Sequence, residues 1–150
     1  MTTTPRSVFL DKPHLKGVVE AARASKGELI VLAGTARKLQ LSWFIMEDVK
    51  IQLRAEGVPF IEMSKAGTRP ITVGPDCRGK LVVFDELRLQ EGHEYSTDLA
   101  TQYLAAGATV LAVVNGSDED TIKTRLFMLG MPKKVIQDKL KLMDYLQKIA

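Results

Sequence analysis

Apolar positions along this chain come in two alternating arrangements: compact runs of aliphatics, and longer stretches in which apolar residues recur every three or four positions. "ELIVLAG" (28–34) is a continuous run closed by Gly34, the pattern of a strand covered on both faces. "VPFIEMS", "KLVVFDEL" and "ATVLAVVNG" repeat that pattern and predict three further strands. Between them the spacing turns helical. Leu15, Val18, Val19 and Ala22 share one face of a helix stopped by Gly27, and Trp43, Ile45, Met46, Val49, Ile51 and Leu53 predict a largely buried helix over 41–56, stopped by Gly57.

In "STDLATQYLAAG", Ser and Thr are capping candidates, Leu99, Tyr103 and Leu104 form the apolar side, and Gly107 ends the helix. Ser117 is the expected cap of the next helix, "DEDTIKTRLFMLG", whose positive first turn suits Asp118, Glu119 and Asp120. Residues 133–150 read as a C-terminal amphipathic helix. Its stripe is Ile136, Leu140, Met143 and Leu146, widened by Leu142, Tyr145 and Ile149, with Lys133, Lys134, Lys139, Lys141 and Lys148 on the solvated side. "KAGTRPITVGPDCRG" is punctuated by Gly and Pro and reads as a loop with a short strand at "ITV".

Strands that alternate with helices across short loops predict an α/β fold, a parallel sheet flanked by helices in three layers. In such a sheet, ligands sit beyond the carboxyl ends of the strands, so the segments after Gly34, Phe84 and Val114 are expected to share one edge. At 150 residues, 45% hydrophobic and 26% charged, residues 1–150 suit a single globular domain. The net charge of +3 comes from mixed signs spread along the chain and gives only weak support for an anionic partner, so nucleic acid is not the expected one. One cysteine, Cys77, and two distant histidines offer neither a disulfide nor zinc-ligand spacing. No signal-peptide pattern and no membrane-length apolar run is seen, so a cytoplasmic setting without a membrane span is expected.

Candidate chemistry concentrates after Gly34. A strand ending in glycine and leading into a helix is where a phosphate loop, G-x-x-x-x-G-K-[S/T], places main-chain N–H groups, a lysine and a magnesium-binding hydroxyl around a triphosphate. Here the loop is Gly34, Thr35, Ala36, Arg37, Lys38, Leu39 and Gln40. Counted from Gly34, the second glycine falls on Leu39, the lysine on Gln40 and the hydroxyl residue on Leu41. All three functions are lost. Taken alone, "AGTARKLQ" is an ordinary strand-to-helix turn, with Arg37 or Lys38 able to offer weak help to an anion at the helix start.

The second half carries a longer pattern: "DELRL", "LATQYLAAG", "ATVLAVVNG" and "TRLFMLG" in series. That series resembles the motor ATPases of type IV pili and of type II and type IV secretion, RecA-like phosphate-loop NTPases. Their core runs through G-E-[IL]-R-D, T-G-H, T-L-H-[TA]-N and R-L-x-x-[ML]-G. The resemblance covers roughly residues 26 to 132. It implies a RecA-like core in which Glu86 stands for the Walker B glutamate, Arg88 for the arginine two residues on, and Arg125 for the arginine of the last segment. Asn115 falls at or beside the family's histidine, and Glu62 in "FIEMS" is the carboxylate available for its acidic box. "KGELIVLAG" is also similar to the strand that enters the phosphate loop of replicative helicases.

The resemblance, with its loop lysine, hydroxyl, second glycine and box histidine missing and no counterpart of the motors' N-terminal sensing domain, implies a catalytically inactive relative. Such a protein would act through protein contacts, as an accessory or regulatory subunit of a secretion, conjugation or pilus system, with no catalytic residue, metal or cofactor. Its expected partner is a hexameric motor ATPase or another secretion component, with self-association as a further option. The alternative is a divergent ATPase that uses ATP with magnesium, with Glu86 and Arg88 catalytic, Asp85 and Glu86 holding the metal, and Arg37 or Lys38 replacing the lysine. A small RecA-like nucleic-acid-binding domain is the third reading. His14 and His93 lack an orienting carboxylate in sequence and stay unassigned, and Cys77 beside Arg78 reads as a spectator thiol.

Overall fold

The computed structural model describes residues 12–34, 41–63, 77–84, 87–89, 92–115 and 118–144. Among the described residues, five strands form one parallel sheet in the order β2-β3-β4-β1-β5. They are β1 (Leu29–Gly34), β2 (Ile61–Met63), β3 (Leu81–Phe84), β4 (Thr109–Asn115) and β5 (Leu140–Asp144). The helices are α1 (Lys12–Ala24), α2 (Leu41–Ala55), α3 (Glu94–Ala105), α4 (Glu119–Met128) and α5 (Lys133–Lys139).

Alternation within each central strand sends successive side chains to opposite faces. Leu29, Val31 and Ala33 of β1 join Val110, Ala112 and Val114 of β4 in a core capped by Leu99, Tyr103 and Leu104 of α3, Ile122 and Leu126 of α4, and Ile136 of α5. Ile30 and Leu32 join Leu111 and Val113 on the other face, under Val18 and Val19 of α1 and Met46, Val49 and Leu53 of α2. The result is the expected three-layer α/β arrangement, and it explains why 29–33 of β1 and 110–114 of β4 are apolar without a break: neither face meets water.

The C-terminal helix expected over 133–150 is corrected by the structure. Helix α5 stops at Lys139, Leu140 takes up extended geometry, and residues 140–144 pair in parallel with β1 from Leu29↔Leu140 to Ala33↔Asp144. The physical reason lies in β1. Without β5 one whole edge of this buried central strand would leave its main-chain N–H and C=O groups unpaired, a cost that outweighs the helix propensity of "LKLMD". Leu140 and Leu142 then pack on one core and Met143 on the other, a period of two that also satisfies the apolar pattern read as a stripe. Tyr145, Leu146, Lys148 and Ile149 lie outside the described residues, as does the "ITV" strand.

Two helix starts shift. Helix α3 begins at Glu94 with His93 at its N-cap, ahead of Ser96 and Thr97, because Glu94 holds the turn through Gly92 N–H (3.1 Å to Oε1). In α4 the cap is Asp118, whose Oδ1 accepts the Thr121 N–H at 2.8 Å, while Ser117 lies outside the described residues.

Candidate functional site at the carboxyl edge of the sheet

The sheet order makes β1 and β4 neighbours although their exits go to opposite sides. The chain leaves β1 through α2, on the α1 side, and leaves β4 through α4 and α5, on the α3 side. Such a divergence at the carboxyl ends of two neighbouring strands marks the usual ligand position in open α/β sheets. Gly34 and Asn115 face each other there as the last register pair of β1 and β4, and Phe84 ends β3 opposite Ala112 of β4. The three segments singled out by sequence therefore leave from one edge.

Thr35, Ala36, Arg37, Lys38, Leu39 and Gln40 lie outside the described residues, as do Asp85 and Glu86. The frame around them is described. Residues 35–40 bridge the end of β1 at Gly34 and the first residue of α2, Leu41. Downstream of Glu86 the chain is held firmly: Leu87 N–H donates to the Val113 carbonyl at 2.9 Å, and the Leu87 and Leu89 side chains are buried. Arg88, between two buried leucines, is exposed. Arg125 of α4 reaches across and donates from Nη1 to the Leu89 carbonyl at 3.1 Å. The structure thus brings Arg88 and Arg125, matched separately by sequence, into one neighbourhood, and gives Arg125 a main-chain acceptor beside the edge.

Glu62 stands elsewhere in its chemistry. Its carboxylate accepts from Lys50 Nζ of α2 at 2.5 Å, with Arg54 Nη2 at 3.5 Å. The hydrogen bond from Lys50, with the charges of Lys50 and Arg54, holds the Glu62 carboxyl below the usual carboxylate range against some desolvation. A carboxylate so paired is a weaker proton acceptor than a free one. Lys50 itself is buried and also has Glu47 Oε1 at 3.4 Å. No local periodicity flags this network: Lys50 sits beside Val49 and Ile51, and its pairing with Glu62 of β2 helps to explain its burial.

His93 is exposed and makes no side-chain cap bond. Cys77 is buried, which suits a spectator thiol. The Tyr103 ring is fully buried, meets Phe84 edge to face at 6.3 Å, and has its phenol pushed up by desolvation. Among the described residues, no group of three or more His, Cys, Asp or Glu side chains is placed to hold a metal ion. No helix among them is long and apolar enough to cross a membrane.

One feature of α4 escapes the sequence pattern. Ile122 and Leu126 face the core, yet Phe127 and Met128 are 58% and 76% exposed, so the helix carries apolar surface on two sides. The doublet directly after Leu126 is the sequence signal, since one apolar stripe cannot include three consecutive residues.

No protein-family model matches the chain, and no curated protein matches it.

Proposed function

We propose that the protein is a catalytically inactive, RecA-like relative of secretion and pilus motor ATPases that works through protein contacts, as an accessory or regulatory subunit on the cytoplasmic side of such a machine. The observation that carries this reading is the register of the connection from β1 to α2. Residues 35–40 span the interval from Gly34 to Leu41 at the head of α2, the interval a phosphate loop occupies, and the side chains within it are the wrong ones. Leu39 stands where bare main chain must approach phosphate, Gln40 brings no charge, and Leu41 cannot ligate magnesium. Phosphoryl transfer depends on positioning and charge neutralisation, and these are the groups that provide them. The exposed Tyr95, Phe127 and Met128 support recognition of protein surface in place of that chemistry.

Isothermal titration with ATP and magnesium tests the first half. No saturable binding is expected, and micromolar binding abolished by Glu86→Gln would instead establish the divergent ATPase. The second half is tested by adding the purified chain to the motor ATPase of its own host. Altered turnover is expected, and unchanged turnover at saturating protein would count against the accessory role.

A further inference from the structure

The outer face of α4, with the start of α3 and the segment after β3, walls an open groove of about 660 Å³. Its lining divides by chemistry along the helix. Asp120 stands near the N-terminal end of α4 and Met128 at its C-terminal end, followed by Leu129, while Glu94 of α3 and Leu89 complete the lining from outside α4. From Asp120 to Met128 is about 12 Å at the helical rise of about 1.5 Å per residue. Arg125 is the basic residue among the lining groups, and its guanidinium is engaged with the Leu89 carbonyl. Lys123, nearby on α4, lies 3.4 Å from Glu119. Glu94 is held in its anionic form by main-chain N–H groups. The groove therefore offers the Asp120 carboxylate at one end of α4, the exposed Met128 at the other, and a second carboxylate, Glu94, from α3.

We propose that this groove binds an amphipathic helix of a protein partner, with a Lys or Arg meeting Asp120 and, two turns along the same face, an aliphatic or aromatic residue seated against Met128 and Leu129. The inference rests on the protein-contact half of the reading above and names the chemistry of the partner. Charge complementarity selects the occupant: the lining carries two carboxylates, Glu94 and Asp120, against one guanidinium, Arg125, so an acidic helix or a nucleic acid would bring like charge to the larger share, whereas a basic side chain pairs with Asp120. The length of the groove sets the spacing of the two anchors, since residues seven or eight apart return to one helix face.

The test uses a displayed library of helical peptides randomised on one face and selected against the intact protein. Enriched sequences are expected to carry Lys or Arg two turns from Leu, Ile, Met or Phe, and their binding should weaken as salt rises. By fluorescence anisotropy, Asp120→Lys combined with Glu94→Lys should weaken a selected peptide about tenfold or more. Met128→Ser should weaken it about fivefold through lost apolar burial. All three positions are exposed, and circular dichroism verifies that each variant keeps its fold. Absence of enrichment, selection of acidic peptides, or binding indifferent to both Met128→Ser and the charge reversals would overturn the proposal. So would sedimentation showing a dimer that Met128→Ser dissociates, which would assign the face to a second copy. A chain that binds no ATP and selects no such peptide removes this inference alone; one that binds ATP and selects it removes the pseudoenzyme reading alone.

Discussion

Lys50 of α2 and Glu62 of β2 meet at 2.5 Å between Nζ and Oε1, with the lysine only 1% exposed and the glutamate 37%. The pair links the helix that leaves the central strand to the short edge strand. Because Lys50 is the desolvated member, losing Glu62 hurts more than losing Lys50. Glu62→Ala is expected to cost about 1–2 kcal/mol, below the cost of breaking a fully buried pair because water screens the glutamate side and Glu47 stays near the ammonium. Lys50→Met keeps the packed stem and is expected to cost less. Urea unfolding of the two variants checks the order, and a larger loss for Lys50→Met would show that the ammonium has a further essential partner.

The same pair gives an acid dependence. The Glu62 carboxyl is lowered in the folded protein, chiefly by the Lys50 hydrogen bond, so the folded state binds its proton more weakly than the unfolded chain. Its stabilisation is complete above the ordinary glutamate pKa and disappears as pH falls through the lower folded value. Stability of the native chain should fall as solutions are acidified below about pH 4.5, and Glu62→Gln should make that fall shallower without abolishing it. Glu94, lowered by main-chain hydrogen bonds, contributes in the same window, and Asp118, lowered likewise, contributes down to a lower pH, its loss beginning only below the ordinary aspartate value.

Gly107, after the C-cap of α3, sits at φ +89°, and a Cβ added there would approach the Arg78 Cγ to 3.0 Å. Its N–H closes the turn on Leu104, and its carbonyl accepts the Gly79 N–H at 3.0 Å. Gly107→Ala combines a left-handed backbone with a close contact and should lower stability by about 1–2 kcal/mol. Thermal unfolding reads this directly; an unchanged midpoint would mean that the turn relaxes freely.

Parallel pairing of β5 with β1 sets Ile30 opposite Lys141. Neighbouring strands lie about 4.8 Å apart, within the range that a disulfide bridges. Ile30→Cys with Lys141→Cys is expected to cross-link on mild oxidation, and the native Cys77, being buried, should stay out of the reaction. A C-terminal helix continuing through Lys141 would leave the two thiols unlinked.

Much of the fold is legible along the chain. The blocks "ELIVLAG", "KLVVFDEL" and "ATVLAVVNG" announce strands with two covered faces, because only a sheet between helix layers hides every side chain of so short a run. The edge bearing Gly34, Phe84 and Asn115 follows from parallel direction alone. The partners are less legible. Arg125 and Leu89 are 36 positions apart, and nothing local to either shows that a guanidinium will meet that carbonyl. Lys50 looks misplaced between Val49 and Ile51 until β2 brings Glu62 to it.

By itself, then, the sequence determined the alternation of strands and helices, the three-layer class, and the identity of the side chains between Gly34 and Leu41, since these depend on local periodicity and residue chemistry. Tertiary structure alone decided that β4 lies between β1 and β3, that residues 140–144 become a strand beside β1, and that α4 turns Met128 outward. The reason is physical. Periodicity tells a segment which of its faces to bury, whereas the neighbour it is buried against is chosen by main-chain groups and charges that other segments would leave unpaired.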